Sequence, residues 1–468
     1  MIHSTGVRPL SSFGPAATST AIDSLLFRDA FGTPAMREVF SDVRLVQRYI
    51  EVEIALARAE ARCGVIPADA AEDIAARCSL QDLDFELLRR ETDNVGYPIL
   101  PLVHQLVKQC GDAGRYIHWG ATTQDIMDTA VVLQVRDGLA LVEKDLGEVR
   151  RILAGLARRY RDTPMAGRTH LQHALPITFG YKAAIWLAMF DRHAERIGDL
   201  KPRVLTGQFA GAAGTLASLG GKGLDVQAAM MKELGLGVPV ATWHVARDGL
   251  AEAINLLALI TGSLGKVAYD VILLSATDCG ELYEPFVTGR GASSTMPQKR
   301  NAISSELMLA ASKGVRQNAG LMLDAMVQDL ERATGPWHAE WLAIPDSFVL
   351  TAGALHQAKF MLGGLEVDEA RMLTNLNSSK GLIVAEAVMM GLAPHIGRQQ
   401  AHDVVYAACR VVNEQGGTLA EALAADPAVT RHINRAQIDA LTDPANYLGQ
   451  APDMVDKVLA SVVRPGRP

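Results

Sequence analysis

The residues best suited to chemistry crowd into one stretch, Gly289-Arg290-Gly291-Ala292-Ser293-Ser294-Thr295-Met296-Pro297-Gln298-Lys299-Arg300-Asn301. Gly289 and Gly291 free the backbone for turns that other residues resist. Small side chains from Gly291 to Thr295 leave backbone N–H groups open, a concavity suited to an anion. No carboxylate occurs between Glu284 and Glu306, whereas Arg290, Lys299 and Arg300 do, so the segment is locally positive in a chain of net charge −7. A helical pattern follows Asn301, and an anion held here would also feel that helix N-terminus. A flexible Gly/Ser loop with solvated basic residues is the bland alternative. The packing of Ser-Ser-x-Met-Pro-x-Lys-x-Asn into nine residues favours a site.

Three other stretches carry chemically able side chains. In His118-Trp119-Gly120-Ala121-Thr122-Thr123-Gln124-Asp125, Thr and Asp are well placed to cap the helix that follows. In Gly167-Arg168-Thr169-His170-Leu171-Gln172-His173 the His-x-x-His pair invites a metal, but no Cys, Asp or Glu nearby completes a set. His170 there reads as a histidine on a helical connector, a place where structural roles are common. Gln208-Phe209-Ala210-Gly211-Ala212-Ala213-Gly214-Thr215 breaks a helical pattern, yet it is not Gly-x-Gly-x-x-Gly and follows no strand, which argues against a dinucleotide site.

The elements that must position these residues read as helices. Apolar spacing predicts helices over 35–63, 68–78 and 82–90, another from near Leu100, then 127–161, 177–200, 248–277 and 302–330. Gly64 and Pro67 supply a stop. Two long helices flanking the 289–301 loop imply an antiparallel bundle core. Only 5% of residues are aromatic, and Ala, Leu, Val and Met abound, which favours bundles over β-sandwiches. The expected organisation is all-α: a flexible arm over 1–24, an N-terminal domain over 25–117, a central bundle over 118–366 and a C-terminal helical section over 367–468.

Mild acidity argues against nucleic acid as a partner. The five cysteines are scattered and form no Cys-x-x-Cys, which fits a reducing cytoplasm. The first 24 residues lack the pattern of a signal peptide, and Pro465 and Pro468 mark a frayed end. The apolar window from Leu250 to Ala276 is interrupted by Glu252, Asn255, Lys266 and Asp270. It therefore reads as a buried bundle helix of a soluble protein, short of a membrane span.

Taken together these motifs resemble the aspartase/fumarase superfamily. The 289–301 stretch is similar to its signature loop, Gly-Ser-Ser-x-x-Pro-x-Lys-x-Asn, with Ala292 in place of a Gly and Ala302 where Pro often follows. Residues 118–129 resemble its first shared region and 167–176 its second. Glu331-Arg332-Ala333-Thr334-Gly335-Pro336-Trp337-His338-Ala339-Glu340-Trp341 and the helix ending at Pro67 are most similar to the 3-carboxy-cis,cis-muconate cycloisomerase branch, although the Trp pair also suits plain helix packing.

The resemblance implies proton transfer next to a carboxylate, through an aci-carboxylate that fixed donors and cations stabilise. It implies Ser293 as base, His170 as acid or relay, and Lys299 as charge stabiliser. Thr122, Thr123, Gln124, Thr169, Gln208, Ser294, Met296 and Asn301 would bind substrate, with His118 and His338 in reserve as acids. No metal and no cofactor are implied, and the active sites of a homotetramer would be shared between subunits. The expected substrate is a small di- or tricarboxylate, most simply 3-carboxy-cis,cis-muconate. Alternatives are a C–N lyase or epimerase of an aminodicarboxylate such as iminodisuccinate, an adenylosuccinate-type lyase, or a silent structural oligomer.

Overall fold

Helices form where the spacing places them. The computed structural model describes residues 20–332 and 334–462; most of the expected N-terminal arm and the end at Pro465 and Pro468 lie outside these. The segment read as one helix over 35–63 is two, Pro34–Val39 and Asp42–Arg62. Ser41 divides them, because its side chain accepts the Arg44 N–H and caps the second. Further helices are Ala68–Arg77, Phe85–Val95, Ile99–Cys110, Thr123–Arg159 and Phe179–Val204. The helices Asp248–Ser275 and Ile303–Ala325 lead into and out of the 289–301 stretch.

The chain forms two compact units, each discontinuous in sequence. The first comprises residues up to Asp145, His193–Leu264 and Leu307–His356. Its core gathers Val46, Ile50 and Leu56 with Ile74, Leu102, Leu106 and the opening turns of the Thr123 helix. Burial of such side chains contributes about 1.5–3 kcal/mol each. A buried ion-pair network sits in this interior. Arg247, 2% exposed, donates to both oxygens of Asp128 at 2.7 and 2.9 Å and from Nε to Glu340 at 2.8 Å. Trp337 Nε1 donates to Asp128 as well, at 3.1 Å. The Trp-x-Ala-Glu-Trp run thus contributes a charge partner as well as rings: Tyr97, Trp337, His338 and Trp341 form one aromatic cluster.

The second unit comprises Leu146–Arg192, Gly265–Glu306 and the chain from Gln357 onward. Residues 164–178, expected as a helical connector, are instead an antiparallel hairpin, Pro164–Thr169 with Gln172–Thr178. Pro164 and Pro176 disfavour a helix interior here, and Pro176 pairs with Ala166 next to a shift in register between Ala166 and Arg168. Arg168 anchors the hairpin by a bidentate bond to buried Glu281, at 3.0 and 2.6 Å, and Asn375 donates to the same carboxylate. A second apolar core, around Val388, Leu392, Val405 and Leu423, holds the C-terminal helices.

The Asp248–Ser275 helix is long and apolar enough to cross a membrane by length and composition, contrary to the expectation that its polar residues interrupt it too often. Half of its most apolar window is buried within the protein, as in the core helix of a bundle.

Candidate active site

In the first unit, Asp125 ties two of the predicted stretches together. Its carboxylate accepts the N–H of Thr122 at 3.0 Å, of Ala210 at 3.0 Å and of Gly211 at 2.9 Å. Buried His244 places Nε2 2.8 Å from the same group. Thr129 adds a second tie, exchanging hydrogen bonds between its hydroxyl and the backbone of Gln208. The 118–125 and 208–214 segments are therefore brought into one place by buried polar bonds, which resist rearrangement because each lost partner leaves an unsatisfied group.

The capping reading and the binding reading of Thr122 both have a physical counterpart. Asp125 caps the Thr122 N–H from inside the helix, while the Thr122 hydroxyl takes a bond at 2.6 Å from Arg332 Nη1. Arg332 is a cation that spacing did not single out, since it lies some two hundred residues away along the chain. The side chains of Gln124 and Gln208 are buried and turned to protein partners. Gln124 donates to the His244 carbonyl at 2.9 Å; Gln208 donates to Thr242 and accepts from the Trp243 N–H. Thr123 is half-buried at the start of its helix, and His338 is half-buried against Trp341, ring centroids 4.5 Å apart. His118 has a positive φ of 60° and lies 2.7 Å from Glu53 Oε1 through Nδ1. Burial alone would lower this histidine, but the charge and hydrogen bond of Glu53 outweigh it and leave it raised.

In the second unit, the loop sorts its three cations. Arg290 Nη2 donates to Ser304 Oγ and Gln357 Oε1, both at 2.6 Å, and its guanidinium lies over the Phe360 ring. Arg300 pairs with both oxygens of Glu366, at 3.1 and 2.9 Å, and donates to the Glu284 carbonyl. Those bonds hold the Glu366 carboxyl below its ordinary range. Arg290 and Arg300, though exposed, are thus bonded into the frame of the loop, unlike the free cations of the bland reading. Lys299 is exposed and has no ion pair among the described residues.

The expected helix N-terminus is likewise in use. Glu284, buried, accepts from the N–H of Ser304 at 3.0 Å and of Ser305 at 2.8 Å, and from the Ser305 hydroxyl. The protein's own carboxylate occupies the position suggested for a ligand, as the dipole favours. Asn301 closes the loop, its amide donating to the Gly291 carbonyl at 2.9 Å. Gly291 has φ +67°, and a Cβ there would lie 2.7 Å from the Asn301 carbonyl oxygen, so only glycine fits.

Within this frame Ser293 Oγ accepts two backbone bonds, from Met296 N–H at 3.0 Å and Thr295 N–H at 3.3 Å. Ser294 and Met296 are exposed. A cavity of about 190 Å³ lies at the loop, lined in part by Arg290, Ala292, Lys299 and Asn301. His170 and Leu171 form the exposed two-residue tip of the hairpin, between the paired Thr169 and Gln172, with φ of 51° and 64°. Left-handed backbone at non-glycine residues costs about 1–3 kcal/mol each and clusters at functional sites. The larger cavity, about 610 Å³ and mostly apolar, is lined in the first unit by Tyr49, Leu88, Trp337 and Trp341, and by none of the predicted site residues. Among the described residues no group of three or more His, Cys, Asp or Glu is arranged to hold a metal.

A loop framed in this way, on an all-α scaffold, defines a lyase-type protein, and the comparisons agree. A family profile described as Lyase matches residues 29–316, and one described as Adenylosuccinate lyase C-terminus matches residues 381–458. The chain is 47% identical to the 3-carboxy-cis,cis-muconate cycloisomerase of Pseudomonas aeruginosa, covering 93% of this chain and 96% of that one. It is equally 47% identical to trans-aconitate decarboxylase 1 of Mycosarcoma maydis, over 92% and 88%. A solved structure titled as fumarate lyase from Mesorhizobium sp. BNC1 is 55% identical, with a TM-score of 0.87 over 92% of this chain and 98% of that one. The chain belongs to the aspartase/fumarase superfamily and has its all-α fold. It is an enzyme of the lyase and cycloisomerase class within that superfamily.

Proposed function

We propose that this enzyme is a cofactor-independent cycloisomerase of an unsaturated polycarboxylate, with 3-carboxy-cis,cis-muconate as its substrate. One carboxylate oxygen adds to a double bond conjugated with a second carboxylate. The electron pair moves into that second group as an aci-carboxylate, and a proton then reaches the adjacent carbon, so lactone forms with uptake of one proton. Ser293 handles that proton. The observation that carries this role is the pair of backbone N–H groups on its Oγ, which stabilise an alkoxide far better than a neutral hydroxyl. Lys299, the loop cation without an ion pair, stabilises the aci-carboxylate with Asn301 and the loop backbone. His170, at the strained hairpin tip, returns the proton to Ser293, with Thr169 beside it.

In the same reading Thr122, Thr123 and Arg332 hold a substrate carboxylate, and Gln124 and Gln208 shape the segment from behind. His118 and His338 face substrate, as do Ser294 and Met296. The enzyme works as a cytoplasmic homotetramer whose sites draw on several subunits, and the three-part division at 25–117, 118–366 and 367–468 describes its domains. Identity to a named cycloisomerase over nearly the full length of both chains supports the substrate class.

Equal identity to a named trans-aconitate decarboxylase favours one rival, loss of carbon dioxide from an unsaturated tricarboxylate. Proton NMR of the protein with 3-carboxy-cis,cis-muconate in D2O separates the two. Lactone carrying one deuterium is the expected product, absent with Ser293→Ala. An unchanged muconate spectrum, with turnover of trans-aconitate in a parallel tube, would replace the first reading by the second.

A further inference from the structure

A buried acidic pair lies behind His118. Glu53 and Glu60 are seven residues apart on the Asp42–Arg62 helix and so share a face. They are 2% and 0% exposed. Glu53 Oε1 meets His118 Nδ1 at 2.7 Å; its other oxygen, and both oxygens of Glu60, have no hydrogen-bond partner among the described residues. Burial first, and the charge of Glu53 second, push Glu60 up to about 9. At neutral pH Glu60 is therefore uncharged, and Glu53 is the member that meets the imidazole.

His118 is held for display. Its backbone is left-handed, its side chain is 22% exposed, and Nε2 makes no bond among the described residues. The other charge acting on it is Asp125, already committed to His244 and three N–H groups. Cys78 and Glu60 feel the charge of Glu53, and neither is among the groups that act on the ring.

We propose that Glu53 is a positioning residue: it turns His118 with Nδ1–H inward, favours the protonated ring by its charge, and so makes Nε2–H a fixed donor for a substrate carboxylate beside Thr122 and Thr123. This rests on the reading of residues 118–124 as a carboxylate-binding segment. A carboxylate that accepts the Nδ1–H fixes the ring's orientation and supports the second proton, so the two nitrogens donate to separate partners. Glu53→Gln keeps the volume and an acceptor but removes the charge, and Glu53→Asp keeps the charge on a shorter stem.

The test is a histidine NMR titration of wild type and both variants, with no substrate present, followed by kinetics. His118 is expected to titrate above an ordinary histidine in wild type and at least about one pH unit lower in Glu53→Gln, a tenfold loss of proton affinity. Glu53→Asp should recover most of that loss. With a confirmed substrate, Glu53→Gln should raise KM about tenfold near neutral pH and leave kcat within about twofold, and the alkaline limb of kcat/KM should move to lower pH. Equal His118 midpoints in wild type and Glu53→Gln would overturn the proposal whatever the substrate proves to be. A shifted midpoint with unchanged KM on a confirmed substrate would overturn its binding half.

Discussion

At the scale of single residues, the loop assigns different tasks to side chains that look alike in sequence. Two serines stand side by side, yet only Ser293 gathers the Thr295 and Met296 N–H groups on its oxygen. Ser293→Ala is expected to lower kcat by about 10²–10⁴, the usual share of a positioned acid–base group, with KM little changed. Steady-state kinetics with the confirmed substrate check this, and a loss under tenfold would remove Ser293 from the proton's path. Of three basic residues in the loop, Arg290 and Arg300 are spent on Ser304, Gln357 and Glu366, which leaves Lys299. Lys299→Met should therefore cost about 10²–10³ in kcat, by removal of charge that the aci-carboxylate needs, while the thermal midpoint stays close to wild type. A large fall in that midpoint would instead make Lys299 a frame residue. The residue types of the signature loop were legible in sequence. Their division into frame and free groups was not, because it depends on partners such as Gln357 and Glu366, which lie more than fifty residues further along the chain.

At the scale of elements, helices were readable from apolar spacing, and most ends fall within a few residues of the expected ones. The hairpin at 164–178 was not. Its strands are short, one carries Pro176, and its two-residue turn is His170-Leu171 instead of the Asn-Gly or Asp-Gly that signals a hairpin. The missing signal is itself informative, since a turn with two strained non-glycine residues persists only where the surroundings or the chemistry require it. The N-terminus of the Ile303–Ala325 helix shows the reverse case. Sequence marked it as an anion site, and the anion is Glu284, supplied by the chain just before the loop. Glu284→Ala leaves the Ser304 and Ser305 N–H groups buried without an acceptor, so it should destabilise the protein by about 2–4 kcal/mol. Hydrogen exchange should locate the change in residues 289–306. Uniform loss of protection over the whole chain, with none extra there, would contradict the capping role.

At the scale of the whole molecule, the two units were invisible in sequence because each is assembled from three separated stretches, and local periodicity carries no record of which stretches meet. Buried ionisable groups were equally hidden, since Glu53 and Glu60 look like the solvated face of an ordinary amphipathic helix. Their burial gives stability a definite pH dependence. The folded state raises Glu60 from 4.5 to about 9, so over that interval the folded chain holds a proton that the unfolded chain has released. Its contribution is complete below pH 4.5 and is lost as pH climbs towards 9. His118, raised by Glu53, acts with the same sign, full below its unfolded value of 6.5 and lost above its folded one. Carboxylates held low by arginines, such as Glu233 and Glu366, contribute in the opposite sense but are already saturated by neutral pH. The alkaline side should therefore slope downward between pH 7 and 9, by up to about 1.4 kcal/mol per pH unit from Glu60 alone. Denaturant unfolding across that range reads the slope. Glu60→Gln mimics the protonated carboxyl and cannot release a proton, so it should flatten the slope by that amount. An unchanged slope in the variant would mean that Glu60 is ionised in the folded protein, and the uncharged carboxyl assigned to it would then be wrong.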